Sequence, residues 1–143
     1  MKIEKIKKIL KEKILILDGP MGTGIQNMGL PSDAFSGTRF AEHTHDLQGN
    51  NDVLSLTLPD AITSIHDSFI SAGADIITTN TFNSNSISQK EYGLDDYTHE
   101  LNRTSAQLAR SCVDKHLGIQ WVAGSLGPTN VTTSLSPDID RPE

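Results

Sequence analysis

Apolar and polar positions along this chain repeat with two different periods. Met1 to Lys13, MKIEKIKKILKEK, spaces Ile3, Ile6 and Leu10 at helical intervals with lysines between them, which predicts a short amphipathic helix. Ile14 to Leu17 is an unbroken aliphatic run, the pattern of a strand buried on both faces. DAITSIHDSFISAG then places Ile62, Ile65, Phe69 and Ala72 on one helical face, with Pro59 at its start and Gly73 as its C-cap. A second strand is predicted over Ala74 to Phe82, ADIITTNTF. LNRTSAQLARSCVDKHLG repeats Leu101, Leu108, Ala109, Cys112, Val113 and Leu117 at helical spacing and closes on Gly118. IQWVAGSLGPTN, from Ile119, reads as a third strand with a polar end. Strand, helix, strand, helix, strand is the order of right-handed βαβ units, so the fold class is α/β with a parallel sheet.

All three strands break into small polar residues at their C-terminal ends. These are Asp18-Gly19, Thr79-Asn80-Thr81, and Gly124-Ser125 ahead of Gly127-Pro128-Thr129-Asn130. Glycine and proline often do no more than terminate strands. Coincidence at three ends, on the edge where parallel α/β folds bind ligands, points instead to a site. A carboxylate there can hold an ammonium group, threonine and asparagine can fix a carboxylate, and glycines let backbone N–H groups come close. The pattern suits a small zwitterion.

Two features depart from a complete domain. The connection from Gly19 to about Thr57, roughly 38 residues without strong periodicity, is far longer than an ordinary βα loop and is expected to act as a lid or cap. Three strands are too few for a (β/α)₈ barrel of about 250 residues or for a doubly wound sheet. The chain closes on the polar SPDIDRPE, so the expectation is a truncated sheet with open edges.

Composition narrows the class. At 143 residues, 36% apolar and 21% charged, the chain has the make-up of one globular domain, and no apolar run is long enough to cross a membrane. Met1 to Lys13 hold six of the twelve basic residues and two of the eighteen acidic ones, so the rest is strongly acidic and a poor partner for nucleic acid. The first helix has no continuous apolar core or cleavage site of a targeting peptide. Cys112, the single cysteine, cannot pair internally, which fits a reducing compartment, with cytoplasm as the default. Its place on an apolar helical face reads as core packing.

The other chemical motifs are weak. His43 and His45 with Asp46 or Asp52 have some metal-binding character, but two histidines in a polar loop read better as solvated. His66, His99 and His116 lie on helices without matched partners. Gly19 to Gly24 lacks the lysine and hydroxyl of a phosphate loop and the spacing of a dinucleotide fingerprint. No nucleophile, histidine and acid share triad spacing.

Taken in order, LDGPMGTGIQ, GNNDVLSLTLPDAITSIH, AGADIITTNTFNSNSIS, YGL and VAGSLGPTN with SLSPD resemble the N-terminal homocysteine-binding domain of the cobalamin-dependent methionine synthases, within the homocysteine S-methyltransferase family. The resemblance runs from Ile14 to the end. It implies a partial (β/α)₈ TIM barrel, comprising the first three strand–helix steps. Residues 1–13 would form a basic N-terminal helix, and residues 14–143 a barrel domain incomplete at its C-terminus. It also implies methionine biosynthesis, in which homocysteine is held as a zinc-bound thiolate and methylated from methylcobalamin. Zinc would deprotonate a thiol that is mostly protonated at neutral pH.

The family's three zinc cysteines lie on later strands, and Cys112 matches none of them, so no metal ligand and no catalytic residue is assigned and the chain alone is expected to be inactive. By resemblance, Asp18, Gly19, Gly22, Thr79, Asn80 and Thr81 contact homocysteine, with Gly127, Pro128, Thr129 and Asn130 as further loop contacts. Pro20 stands where much of the family has a glycine or alanine, which removes one backbone donor. The implied partners are the rest of the barrel and folate and cobalamin domains. A betaine or S-methylmethionine branch, a non-catalytic half-barrel that self-associates through its open edges, and another small-molecule barrel enzyme remain open alternatives.

Overall fold

The computed structural model describes residues 2–116, 118 and 120–131, so Leu117, Ile119 and the SPD motif at 136–138 lie outside the described residues. The helices are α1 (Lys2–Leu10), α2 (Met21–Asn27), α3 (Ser32–Ser36), α4 (Leu54–Thr57), α5 (Pro59–Ser71), α6 (Ser86–Gln89) and α7 (Thr98–Lys115), and the strands are β1 (Ile76–Thr78) and β2 (Trp121–Ala123). Single 3₁₀ turns occupy Asn51–Val53, Lys90–Tyr92 and Asp95–Tyr97.

The sheet is parallel, as the βαβ pattern predicts. Ile76, Ile77 and Thr78 of β1 pair with Trp121, Val122 and Ala123 of β2. On the other side of β1, Leu17 forms a single parallel bridge to Ile76. The Asp18 N–H donates to Ile76 O at 2.8 Å, and the Asp75 and Ile76 N–H groups donate to Ile16 O at 2.8 and 3.0 Å. Strand order therefore follows chain order, with β1 in the middle.

Ile14 to Leu17 departs from the expected buried strand. It makes only that bridge, and Ile14, Ile16 and Leu17 are 87%, 58% and 54% exposed. The physical reason is that the segment has one neighbouring strand and no packed second face among the described residues. Asp75 ties it down from the far end, accepting from the Ile16 N–H and the Lys13 ammonium, and these donors hold its carboxyl below the usual range.

The two long helices form where the 3.6-residue period is strongest. On α5, Ile62, Ile65 and Ile70 are buried, and Gly73 just beyond its end has φ +103°, a conformation glycine adopts without strain. On α7, Leu101, Ala109, Cys112 and Val113 are buried. This helix stops at Lys115 with His116 already extended, rather than on Gly118. Ile70, Ala74, Ile77, Ala109, Cys112 and Val113 form the core between the sheet and both helices.

The expected loop from Gly19 to Thr57 is a folded cap with a core of its own. Ile25, Phe35, Phe40, Leu47, Val53 and Leu54 pack with Ile62 and Ile65 of α5 and with Leu94. Arg39 fastens the cap to α7 through both oxygens of Glu100, at 2.8 and 2.7 Å, and lies over the rings of Phe40 and Tyr97. Among the described residues no helix is long and apolar enough to cross a membrane.

Candidate functional site

Beyond the C-terminal end of β1 the backbone leaves the sheet at Thr79 and turns through Thr81, and a cleft of about 400 Å³ opens there. Gly19 and Gly22 form one wall, Asn51 and Asp52 of the cap another, and Thr78 to Asn83 with Ser125 the floor. Of the residues predicted from the sequence, Gly19, Gly22, Thr79, Asn80 and Thr81 meet here. Asp18 does not line the cleft, and Pro128, Thr129 and Asn130 border a separate depression beside Ser88 and Tyr92.

Each predicted residue has a defined local role. The Asp18 carboxylate accepts from the Thr78 N–H at 2.8 Å and from the Thr78 hydroxyl at 2.9 and 3.1 Å, so it locks the first strand end to β1. A Cβ on Gly19 would lie 2.5 Å from the Phe69 ring, which makes this glycine a packing requirement. Gly22 is different: a Cβ there would approach only Asn51 Nδ2, at 3.7 Å, so its missing side chain keeps the cleft open. Gly127 sits against Phe82, donating its N–H to Phe82 O at 3.0 Å, and a Cβ would meet that oxygen at 2.3 Å.

Thr79 and Thr81 belong to a closed ring. The Ser125 N–H donates to Thr79 Oγ1 at 3.0 Å, the two threonine hydroxyls are 2.6 Å apart, and Thr81 Oγ1 donates to Ser125 O at 2.8 Å. One proton direction satisfies the whole ring, with Thr79 donating to Thr81, and it leaves lone pairs rather than protons for a ligand. Asn80 is likewise engaged, its Nδ2 donating to Asn51 O at 2.8 Å and Ser55 Oγ at 3.2 Å. The Ser105 hydroxyl of α7 completes this buried set, 2.8 Å from Ser55 Oγ and 3.2 Å from Asn80 O, with one proton to share between them. Asn50 and Gln89 pair alongside, and Gln89 also holds Asn83 O.

Asp52 is the functional candidate that sequence reasoning missed. The sequence pattern offers it only as a companion to His43 and His45, yet it lines the cleft, is 2% exposed, and accepts from the Asn83 N–H at 3.2 and 3.4 Å. Burial pushes its carboxyl up to about 6, and hydrogen bonds from the Asn83, Asp52 and Phe82 N–H groups and the Ser84 hydroxyl offset only part of that rise. The one available signal was the polar run GNND ahead of an apolar helix. His43 lies elsewhere, with Nε2 at 2.7 Å from Tyr92 O, and Asp46 accepts from the Gln48 N–H.

Among the described residues no three His, Cys, Asp or Glu side chains converge as a metal site. Cys112 is fully buried in the core, its thiol directed at Thr63 O and raised by burial.

The sequence model described as homocysteine S-methyltransferase matches residues 15–143. Among solved structures, the metallated homocysteine methyltransferase MmuM from Escherichia coli superposes with a TM-score of 0.65 and 23% identity, covering 86% of this chain and 41% of that one. The oxidized form of the same enzyme gives a TM-score of 0.66 and 25% identity, over 86% of this chain and 40% of that one. This chain thus spans about two fifths of the length of those structures. Its parallel sheet with flanking helices is part of a TIM-barrel-like fold. With the family match running over nearly the whole sequence, the chain belongs to the homocysteine S-methyltransferase family.

Proposed function

We propose that this chain supplies the homocysteine-binding end of a methyltransferase barrel that makes methionine. The observation that carries the reading is the cleft at the C-terminal strand ends, lined by Gly19, Gly22, Thr79, Asn80, Thr81 and Ser125. Its volume suits an amino acid. Met21 and Gly22, at the start of α2, border the same space. Asp18 acts from beneath by fixing β1 through Thr78. Gly127 holds the third loop against Phe82, and Pro128, Thr129 and Asn130 follow it beside the neighbouring depression.

Zinc does not fit the described residues, because one buried thiol in a helix offers no site for it. A corrin ring is too large for a cleft of about 400 Å³, so methylcobalamin does not fit there either. The role of these residues is to bind and orient the acceptor. The cobalamin-dependent branch is the donor reading we favour, on TNTFNS and GPTN. A single buried thiol suits a reducing compartment, and cytoplasm goes with this reading.

The test is calorimetric competition. L-homocysteine is expected to bind and to be displaced poorly by serine, aspartate or lysine. Equal displacement by those amino acids would defeat the homocysteine reading and favour another small-molecule barrel enzyme.

A further inference from the structure

A ring of hydrogen bonds ties two polar walls of the cleft together through side chains that do not line it. Asn50, 2% exposed, directly precedes the cap residues Asn51 and Asp52, and Gln89, fully buried, closes α6. Asn50 Nδ2 donates to Gln89 Oε1 at 2.8 Å, and Gln89 Nε2 donates back to Asn50 Oδ1 at 3.3 Å. The second Nε2 proton goes to Asn83 O at 3.2 Å, and because a carbonyl can only accept, this bond fixes the direction of both amides. Asn83 in turn donates its N–H to the Asp52 carboxylate, two residues from Asn50, and the ring closes. Burying two amides is costly unless they are paired, and an apolar pair of the same shape would fill the space as well. What the amides add is direction, since a methionine at position 89 would leave the Asn83 carbonyl unheld.

We propose that the Asn50–Gln89 pair is the positioning device of this cleft: it sets the separation between the cap wall at Asn51 and Asp52 and the turn at Asn83 before a ligand arrives, and homocysteine affinity depends on it. The proposal rests on the homocysteine reading above. Neither residue lines the cleft; both act through Asn51, Asp52 and Asn83, which do. Without the pair the free chain would sample wider separations, and binding would have to draw the walls together at the expense of affinity.

The experiment titrates L-homocysteine calorimetrically into wild type, Gln89→Met, the pair variant Asn50→Leu with Gln89→Met, and Val113→Ala, a core change away from the cleft, with a urea midpoint for each. Gln89→Met strands the Asn50 amide and should lower both the midpoint and the affinity, the latter about tenfold, the scale of one hydrogen bond that must re-form on binding. The pair variant removes both amides, so it should regain much of the midpoint while its affinity stays about tenfold low. Val113→Ala should lower the midpoint and leave the affinity within about twofold of wild type.

Affinity that recovers together with the midpoint in the pair variant would show a merely structural role and overturn the proposal, as would an equal loss of affinity in Val113→Ala. Gln89→Met binding homocysteine as tightly as wild type overturns the positioning role and leaves the homocysteine reading standing. Wild type binding no homocysteine overturns both. Should the Gln89 variants fail to fold, amide exchange in wild type decides: the Asn83 N–H is expected to be protected before ligand is added and to slow by less than about threefold at saturation. An Asn83 amide that exchanges freely until homocysteine binds would mean that the ligand, not the pair, draws the walls together, and overturns the proposal.

Discussion

Gly19 lines the cleft and is also bounded by packing behind it. A glycine after a strand-end aspartate suggests backbone brought close to a ligand, whereas the nearest limit on Gly19 is the Phe69 ring, 2.5 Å from where a Cβ would stand. Gly19→Ala should therefore destabilise the fold by roughly 1–3 kcal/mol through overpacking, read as a lower urea midpoint. An unchanged midpoint would mean that Phe69 moves aside freely. The same difference separates Asp18 from Asp52. Asp18 was legible because it ends an aliphatic run, while Asp52 sits among asparagines in GNND, where a carboxylate ordinarily reads as solvated. Its burial follows from the cap folding over it, which no local pattern encodes.

Among elements, α5 and α7 were legible because 13 and 18 residues provide enough turns for a 3.6-residue period to stand out. The cap was not, since its helices run only four to seven residues and Phe35, Phe40 and Leu47 follow no single period. The strands came out shorter than their apolar runs, because Thr79 to Thr81 turn away to build the hydroxyl ring with Ser125. What joins these pieces is polar. Ser105 on α7 reaches Ser55 on α4 and the Asn80 carbonyl beyond β1, three elements at one hydroxyl. Ser105→Ala would leave that cluster short of a buried donor and should cost about 1–3 kcal/mol. The expected signature is faster amide exchange in both the cap and the 79–83 turn; a change confined to α7 would show that the cluster does not couple them.

At the scale of the whole molecule, two buried titratable groups act in opposite directions on stability. His66 is fully buried, neither ring nitrogen has a partner among the described residues, and burial holds its pKa below the ordinary 6.5. The unfolded chain therefore binds the proton more readily, so His66 lowers stability as pH falls below 6.5. Asp52 is raised from 3.8 to about 6, so its stabilising contribution is full below 3.8 and lost as pH rises through about 6. The two slopes oppose each other between these limits. His66→Leu should remove the first, so that the variant gains stability on going from about pH 7 to pH 5 relative to wild type. Urea midpoints that run parallel in the two proteins would reject this balance. The cap core has a consequence in time as well as in space. Of its buried members only Leu94 follows β1 in the chain, so a growing polypeptide carries nearly all of that core before any parallel pairing with β1 can begin. Contacts that are close in sequence form early, and translation delivers them in the same order. The sheet is then laid against a surface already condensed, and the ribosome meets the slow, non-local step last.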